Sequence, residues 1–199
     1  MIHYHEMQQG STEWDEIRKG KLTASNATAI GANGTGLKTY CESIALDIIG
    51  SQKDHYINEV MERGNILEPT ARTAYEFEKG VSIKEVGFIT NDRYENVGVS
   101  PDGLITLDGG VEIKARNNNK HFSLILGNTK EIPYSQIQMT LLITERAWWD
   151  FVSFNPNLSK PLFIKRIYPD VKYMEKLETG FIEGNKLIKS YVEIYNSYK

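Results

Sequence analysis

The stretch at residues 97–116, VGVSPDGLITLDGGVEIKAR, constrains the fold of this chain more than any other part of the sequence. Short apolar segments alternate here with Ser-Pro-Asp-Gly and Gly-Gly, which are turn-forming sequences. The pattern predicts strands at residues 97–99, 104–107 and 111–115, and the turn at Gly109-Gly110 is expected to return the chain antiparallel. One acidic residue lies in the first turn and two charged residues lie in the last strand, so the hairpin carries charge as well as apolar side chains.

Asp102, Glu112 and Lys114 are these charged residues. Glu112 and Lys114 project from the same face of a strand because they are two residues apart. Asp102 lies just before the neighbouring strand, so the two carboxylates converge, and the backbone carbonyl of Ile113 adds a further oxygen. Such a site suits a hard cation such as Mg²⁺. Phosphodiester hydrolysis uses these parts, because the cation polarises the phosphoryl oxygen, while Lys114 orients the attacking water or helps to deprotonate it.

The same residues are also compatible with a surface hairpin whose charges face the solvent. An Asp followed by Glu-x-Lys is a short pattern with flexible spacing, and a charged sequence often matches it by chance. Upstream, Glu68 is a candidate third carboxylate on a predicted helix, although a lone helix glutamate is normally solvated. Downstream, Gln136 and Gln138 lie about 200° apart around an otherwise apolar helix, so they cannot both face one site.

Helical patterns flank the strands on both sides. Ser11 is expected to cap a short helix that places Trp14 and Ile17 inward and ends near Gly20. A second helix is predicted to begin at Thr23 or Ser25 and to stop at the loop GANGTG. Two more are predicted at residues 40–49 and 66–80, and another begins at Pro133. A last helix is predicted at residues 170–198, with Gly180 and Gly184 as potential breaks. Further strands are predicted at residues 82–89 and in WWDFVSF and PLFIKRIY. The predicted fold class is therefore α/β or α+β, with a central mixed sheet flanked by helices.

The composition fits one globular domain over residues 1–199. No apolar run is long enough to span a bilayer, and no secretory signal is visible at the amino terminus. The single cysteine, Cys41, excludes an internal disulfide, so a reduced, cytoplasmic location is expected. The net charge of −3 argues against a protein that coats nucleic acid through a basic face. It is compatible with a nucleic-acid enzyme whose carboxylates bind cations.

Five motifs in order carry a family resemblance: WDEIRKGKLTAS, RGNILEPTAR, SPDG, VEIKAR and YSQIQMTLLITERAWWDFVSF. Over residues 14–156 the chain resembles the phage lambda exonuclease family, the YqaJ-like viral recombinases, which have the PD-(D/E)xK restriction-endonuclease-like nuclease core. Residues after Leu158 match no motif, so their role is not predicted.

The resemblance implies a role for each matching residue. Asp102, Glu112 and the Ile113 carbonyl are the implied metal ligands, Lys114 is the implied catalytic lysine, and Glu68 is an additional acid near the metal. The residues implied to hold the terminal 5'-phosphate are Arg18, Ser25, Ser100 and Gln136. An arginine fork with hydroxyl and amide donors is chemically suited to phosphate oxygens, and a helix amino terminus at Ser25 would add backbone donors.

The resemblance also implies an activity and partners. The expected protein is a Mg²⁺-dependent 5'-to-3' exonuclease, with Mn²⁺ as a substitute, that acts on double-stranded DNA ends. It is expected to form a homotrimer, to pass the exposed 3' strand to a single-strand annealing protein, and to be phage- or prophage-encoded in a bacterial cytoplasm. The alternatives are a restriction-type or Cas4-like nuclease of the same core and an inactive DNA-end-binding scaffold.

The remaining candidate residues have simpler interpretations. At least one of Trp148 and Trp149 is expected in the core rather than in a base-stacking platform. His3 and His5 form an H-x-H pair, for which a mobile amino terminus is a better explanation than a metal site. His55 and His121 are isolated, and GANGTG is interpreted as a mobile loop near DNA because it lacks the lysine of a phosphate-binding loop.

Overall fold

The computed structural model describes residues 1–50 and 59–198 of the chain, and His55 lies outside these residues. Within them the helices are α1 (Thr12–Arg18), α2 (Ala27–Ala32), α3 (Thr35–Ile48), α4 (Glu59–Lys79), α5 (Asn118–Ile125), α6 (Tyr134–Thr144) and α7 (Val171–Ser197). The strands are β1 (Ile2–His5), β2 (Leu22–Thr23), β3 (Ile83–Lys84), β4 (Phe88–Asn91), β5 (Val97–Val99), β6 (Gly103–Ile105), β7 (Gly109–Ala115), β8 (Trp148–Phe154) and β9 (Leu162–Ile167). None of the described helices is long and apolar enough to cross a membrane.

The predicted mixed sheet flanked by helices is confirmed, and a second sheet accompanies it. The larger sheet has the strand order β3-β6-β7-β8-β9 and combines a parallel β7–β8 pair with antiparallel neighbours. The smaller sheet has the order β1-β4-β5-β2. Helix α4 packs on β7 and β9, whereas α6 contacts β8 of the larger sheet together with β4 and β5 of the smaller one. The segment predicted as one strand at residues 82–89 is divided between the two sheets as β3 and β4.

The predicted antiparallel hairpin is formed by β6 and β7, but its turn lies elsewhere. Gly109 and Gly110 belong to β7, opposite Ile105 and Leu104, and the chain turns at residues 106–108, where Leu107 is 94% exposed. The two glycines are needed for packing, because a Cβ on either would lie about 2 Å from the ring of Trp148 or Trp149 on the parallel strand β8. The two glycines therefore allow the close approach of β7 and β8, and they do not form the turn that was predicted from them.

Several local predictions are confirmed at the amino-terminal end. Ser11 caps α1 by accepting from the backbone N–H of Trp14. A 3₁₀ turn at Ala24–Asn26 follows Thr23 and leads directly into α2. The interpretation of GANGTG as a mobile loop is wrong, because α2 ends at Ala32, Asn33 takes a left-handed conformation with φ +48°, and α3 begins at Thr35.

The prediction of a mobile amino terminus is also wrong. Residues 2–5 form β1, which pairs antiparallel with β4. His3 Nε2 lies 2.7 Å from a carboxylate oxygen of Asp92, and His5 Nε2 lies 3.0 Å from the Thr90 hydroxyl. His5 therefore contacts a residue of β4, and His3 contacts the residue that follows β4.

Two differences concern helices in the second half of the chain. Helix α5 was not predicted, because its Asn-rich beginning lacks a clear apolar period; it buries His121, which contacts the Ser153 hydroxyl and the Lys160 carbonyl. Helix α7 continues unbroken through Gly180 and Gly184. A Cβ at Gly180 would lie 2.2 Å from the carbonyl oxygen of Ile30 in α2, so the absence of a side chain permits close helix packing.

Candidate active site

Asp102, Glu112 and Lys114 lie together at the end of the β6–β7 hairpin. Lys114 Nζ is 2.7 Å from Glu112 Oε1, and Asp102 Oδ2 accepts a 2.6 Å hydrogen bond from the backbone N–H of Ile113. The N–H and carbonyl of one strand residue point to the same side, so the Ile113 carbonyl is also directed toward the Asp102 side of β7. The structure thus brings together all four groups that were expected to form the centre of the site.

Glu112 is a buried carboxylate whose two oxygens differ in their surroundings. The residue is only 1% exposed. Oε1 accepts from Lys114 and, at 2.6 Å, from the Gln136 side-chain amide, whereas Oε2 is buried without a hydrogen-bond partner. A buried, unpaired carboxylate oxygen is costly unless something else neutralises it. Oxygen is the donor that Mg²⁺ prefers, so the free Oε2 fits a cation ligand.

The charges around the site perturb one another. Burial raises the pKa of Asp102 well above its ordinary value, and the Glu112 charge raises it further, while Lys114 acts in the opposite direction. The Glu112 charge raises the pKa of Lys114 above its usual range, although burial opposes this effect. In this arrangement Lys114 is therefore a cation and a hydrogen-bond donor. Two carboxylates this close repel one another when both are ionised, and a bound cation would relieve that repulsion.

Glu68 reaches the edge of this site from α4, where it pairs with an arginine that sequence reasoning missed. Arg72 Nη2 lies 2.8 Å from Glu68 Oε1 and 3.5 Å from the Asp102 carbonyl, and Arg72 Nη1 lies 2.6 Å from Glu85 Oε1. Burial raises the pKa of Glu68, and the charges of Arg72 and Lys114 oppose that rise. The i, i+4 spacing of Glu68 and Arg72 was the available signal. Among the described residues, no three His, Cys, Asp or Glu side chains already form a closed metal-binding group.

Two of the predicted phosphate-binding residues meet at Trp14. The indole N–H of Trp14 donates to the Ser100 hydroxyl at 2.9 Å and to the Gly87 carbonyl at 3.0 Å. The Arg18 guanidinium stacks on the same ring, 3.6 Å from its centroid. Burial lowers the pKa of Arg18, and its Nε is buried without a partner. Trp14 was predicted only as an inward-facing residue, and no sequence signal indicated that it connects Arg18 with Ser100.

Ser25 and Gln136, the other two predicted phosphate-binding residues, do not join Arg18 and Ser100 at Trp14. Ser25 lies in the 3₁₀ turn before α2, 3.4 Å from the Thr23 hydroxyl, so it is not in the first turn of an α-helix as expected. Gln136 lies in the first turn of α6 and donates to Glu112. No described hydrogen bond joins Ser25 or Gln136 to Arg18 or Ser100. Gln136 therefore belongs to the acidic cluster by direct contact.

Gln138, Trp148 and Trp149, which were not assigned to the site from the sequence, have structural roles. Gln138 is buried, donates to the Tyr168 carbonyl and accepts from the Asp170 N–H, so it holds α6 to the start of α7. Trp149 is fully buried, as predicted for one of the two tryptophans, while Arg166 stacks on the partly exposed ring of Trp148.

Comparison with known proteins identifies a family and similar solved structures. The model of the YqaJ-like viral recombinase domain matches residues 13–147. Two structures of an alkaline exonuclease (LHK-Exo) from Laribacter hongkongensis, one in complex with dAMP, each match with a TM-score of 0.84 at 30% identity, covering 94% of this chain and 96% of theirs.

A more distant solved structure shows the fold alone. It is a phage related exonuclease from Haemophilus somnus 129PT, with a TM-score of 0.62 at 16% identity over 96% of this chain and 90% of that one. No curated protein matches the chain. Because the family model covers more than half of the chain and includes the whole acidic cluster, this protein belongs to the family of YqaJ-like viral recombinase domains.

Proposed function

We propose that this protein is a Mg²⁺-dependent exonuclease that degrades the 5'-phosphorylated strand of linear double-stranded DNA from 5' to 3'. The observation that carries the proposal is the buried Glu112 carboxylate, with one oxygen held by Lys114 and Gln136 and the other without a hydrogen-bond partner. The charge of this carboxylate also acts on Asp102. A related alkaline exonuclease has been crystallised with dAMP, and a deoxynucleoside monophosphate is the class of product that such a reaction releases.

The residues of the acidic cluster would hold the cation. The Glu112 Oε2 atom, the Asp102 carboxylate and the Ile113 carbonyl are its proposed ligands, and Glu68 joins them when it is released from Arg72. Mg²⁺ supplies charge that polarises the phosphoryl group and stabilises the leaving oxygen, and Mn²⁺ is a chemically similar substitute. Lys114 donates hydrogen bonds that orient water and phosphate oxygen, while Gln136 and Lys114 together fix the orientation of Glu112.

The phosphate-binding residues would set the end requirement. Arg18 and Ser100, joined by Trp14, form one part of the proposed pocket, and Ser25 and Gln136 form the other. A guanidinium that already stacks on an aromatic ring loses little conformational entropy on binding phosphate. The pocket would place the first phosphodiester bond of the strand at the acidic cluster, which is an exonuclease geometry.

The proposed biological setting follows the family. The 3' single strand left by digestion would pass to a single-strand annealing protein in annealing-type recombination, and the enzyme would act as a homotrimer in the cytoplasm of a bacterial host. A restriction-type or Cas4-like nuclease would share the acidic cluster and differ in its substrate, because an endonuclease cuts closed circles and an exonuclease cannot.

Linear and closed circular duplex DNA, each incubated with and without Mg²⁺, test this proposal. We expect Mg²⁺-dependent loss of the linear duplex and no cleavage of the circle, with the strand bearing the 5'-phosphate degraded first. Asp102→Asn and Glu112→Gln should abolish digestion, because each removes a charged ligand. Calorimetric titration with Mg²⁺ should show weakened binding in both variants.

Leu107→Ser provides the matched control, because Leu107 is an exposed side chain on the turn of the same hairpin. This variant should digest linear DNA like the wild type. Cleavage of the closed circle would identify an endonuclease instead. Binding to DNA ends without any cleavage in Mg²⁺ or Mn²⁺ would identify an inactive scaffold, and full activity in either acidic variant would contradict the metal site.

A further inference from the structure

Arg116 lies two residues beyond Lys114 and has no assigned role. Its backbone N–H donates to the Phe154 carbonyl on β8 at 3.0 Å, so the pairing of β7 with β8 continues through this residue. Side chains alternate along an extended strand, and Arg116 is therefore on the face that carries Glu112 and Lys114. Two residues of extended strand span about 6.6 Å, which places Arg116 beside the acidic cluster rather than within it.

The Arg116 guanidinium has no carboxylate partner among the described residues. Its Nη2 donates to the backbone carbonyl of Glu131 at 2.8 Å, and its Nε is buried without any hydrogen-bond partner. The Glu131 carboxylate is 3.6 Å from Lys120 instead. By contrast, Arg72 and Arg166 each pair with a carboxylate at 2.8 Å.

The Arg116 charge is in an unfavourable position when no anion is bound. Arg116 and Lys114 lie on one strand face about 6.6 Å apart along the strand, so these two cations are close enough to repel. A half-buried guanidinium with unused donors next to another cation is a typical arrangement for binding an anion. In a DNA enzyme the abundant anions are backbone phosphates, which arginine contacts through paired hydrogen bonds.

We propose that Arg116 binds a backbone phosphate of the cleaved strand, next to the scissile phosphate. Its contact with Glu131 would hold the guanidinium in place, because that carbonyl belongs to the 3₁₀ turn (Thr129–Glu131) leading toward α6. Arg116 would thus be a positioning residue that fixes the register of the strand over Glu112 and Lys114. This inference rests on the proposed nuclease function.

The test is a scan of short 5'-phosphorylated duplexes that each carry one neutral methylphosphonate in the cleaved strand. Binding is measured without Mg²⁺ and cleavage with it, for wild type and for Arg116→Gln, which keeps an amide donor for Glu131 and removes the charge. A methylphosphonate at one position next to the scissile phosphate should weaken DNA binding by the wild type about tenfold, the usual effect of losing a charged hydrogen bond. The same replacement should have no further effect in Arg116→Gln, which is the signature of direct coupling.

Salt dependence and a matched control complete the experiment. Arg116→Gln should reduce the slope of log binding constant against log salt by about one, as expected for a lost phosphate contact. Arg93→Gln removes the same charge from an arginine that is paired with Glu178, and it should change neither the slope nor the scan. Thermal denaturation should show that both variants remain folded.

The outcomes separate the two proposals. If the wild type digests DNA but no phosphate position couples to Arg116, the inference is overturned and Arg116 only holds the 3₁₀ turn. If one position couples in binding but no DNA is cleaved, the phosphate contact stands and the exonuclease function fails.

Discussion

At the scale of single residues, Arg18 offers a sharp test of the end requirement. Its guanidinium is stacked on Trp14 and its Nε has no hydrogen-bond partner. The guanidinium is therefore fixed in place with a donor available for an anion. An arginine–phosphate contact contributes roughly 1.5–3 kcal/mol, or about one to two powers of ten in rate if it is expressed in the transition state. A 5'-phosphorylated duplex should be digested faster than a 5'-hydroxyl duplex by that factor. Arg18→Ala should slow only the phosphorylated substrate, as measured by initial rates.

Lys19 provides the control, because it is the neighbouring exposed cation. Lys19→Ala should preserve the preference for the phosphorylated end. If Arg18→Ala slows both substrates equally, Arg18 is a general DNA contact or a structural residue rather than a ligand of the terminal phosphate.

The residues of the site were predictable to different degrees. Strand alternation and a single turn were enough to place Asp102, Glu112 and Lys114 near one another, because all three lie within one hairpin. The partners that hold the site from a distance were not predictable. Arg72 reaches Glu85, and Trp14 reaches Ser100, across long stretches of sequence, and a single sequence contains no period or spacing that encodes such contacts.

At the scale of elements, α7 depends on a glycine to approach α2. Intrinsic helix propensity alone predicts that Gly180→Ala stabilises the helix by about 1 kcal/mol. The structure predicts the opposite sign, because the new Cβ would lie 2.2 Å from the Ile30 carbonyl oxygen and 2.7 Å from its Cγ2. Overpacking of this kind costs about 1–3 kcal/mol. We therefore expect a lower midpoint of thermal denaturation, by several degrees.

The neighbouring residue supplies the comparison. Thr179 is exposed on the same turn of α7, and Thr179→Ala should change stability by no more than about 0.5 kcal/mol. An unchanged or raised midpoint for Gly180→Ala would show that α2 and α7 can separate without cost.

Elements with strong local signals were predicted well, and the exceptions have physical causes. The Ser11 cap, β5 and the core strand β8 follow from local pattern. The turn between β6 and β7 was misplaced because its glycines serve packing against two tryptophans of β8. Strand β1 was missed because a short terminal segment becomes a strand only through its partner β4, and such pairing over a long sequence separation leaves no local signal.

At the scale of the whole molecule, the two sheets determine where the site can lie. Helix α6 packs between strands of both sheets, and its first turn delivers Gln136 to Glu112 on the larger sheet. The smaller sheet carries β5, which leads directly to Ser100 and Asp102. The acidic cluster and the proposed phosphate pocket are thus connected by one short segment, so their separation is fixed by the fold rather than by a mobile loop.

The family resemblance implies that three chains assemble into a ring. A closed ring around the duplex would keep the enzyme at high local concentration near the next bond after each cleavage, so digestion should be processive. Light scattering should give a mass about three times the 22.7 kDa of one chain. Bound enzyme that is started with Mg²⁺ and challenged with excess unlabelled duplex should finish the strand on which it began. A one-chain mass, together with digestion that stops when the competitor is added, would exclude the ring while leaving the nuclease proposal to its own tests.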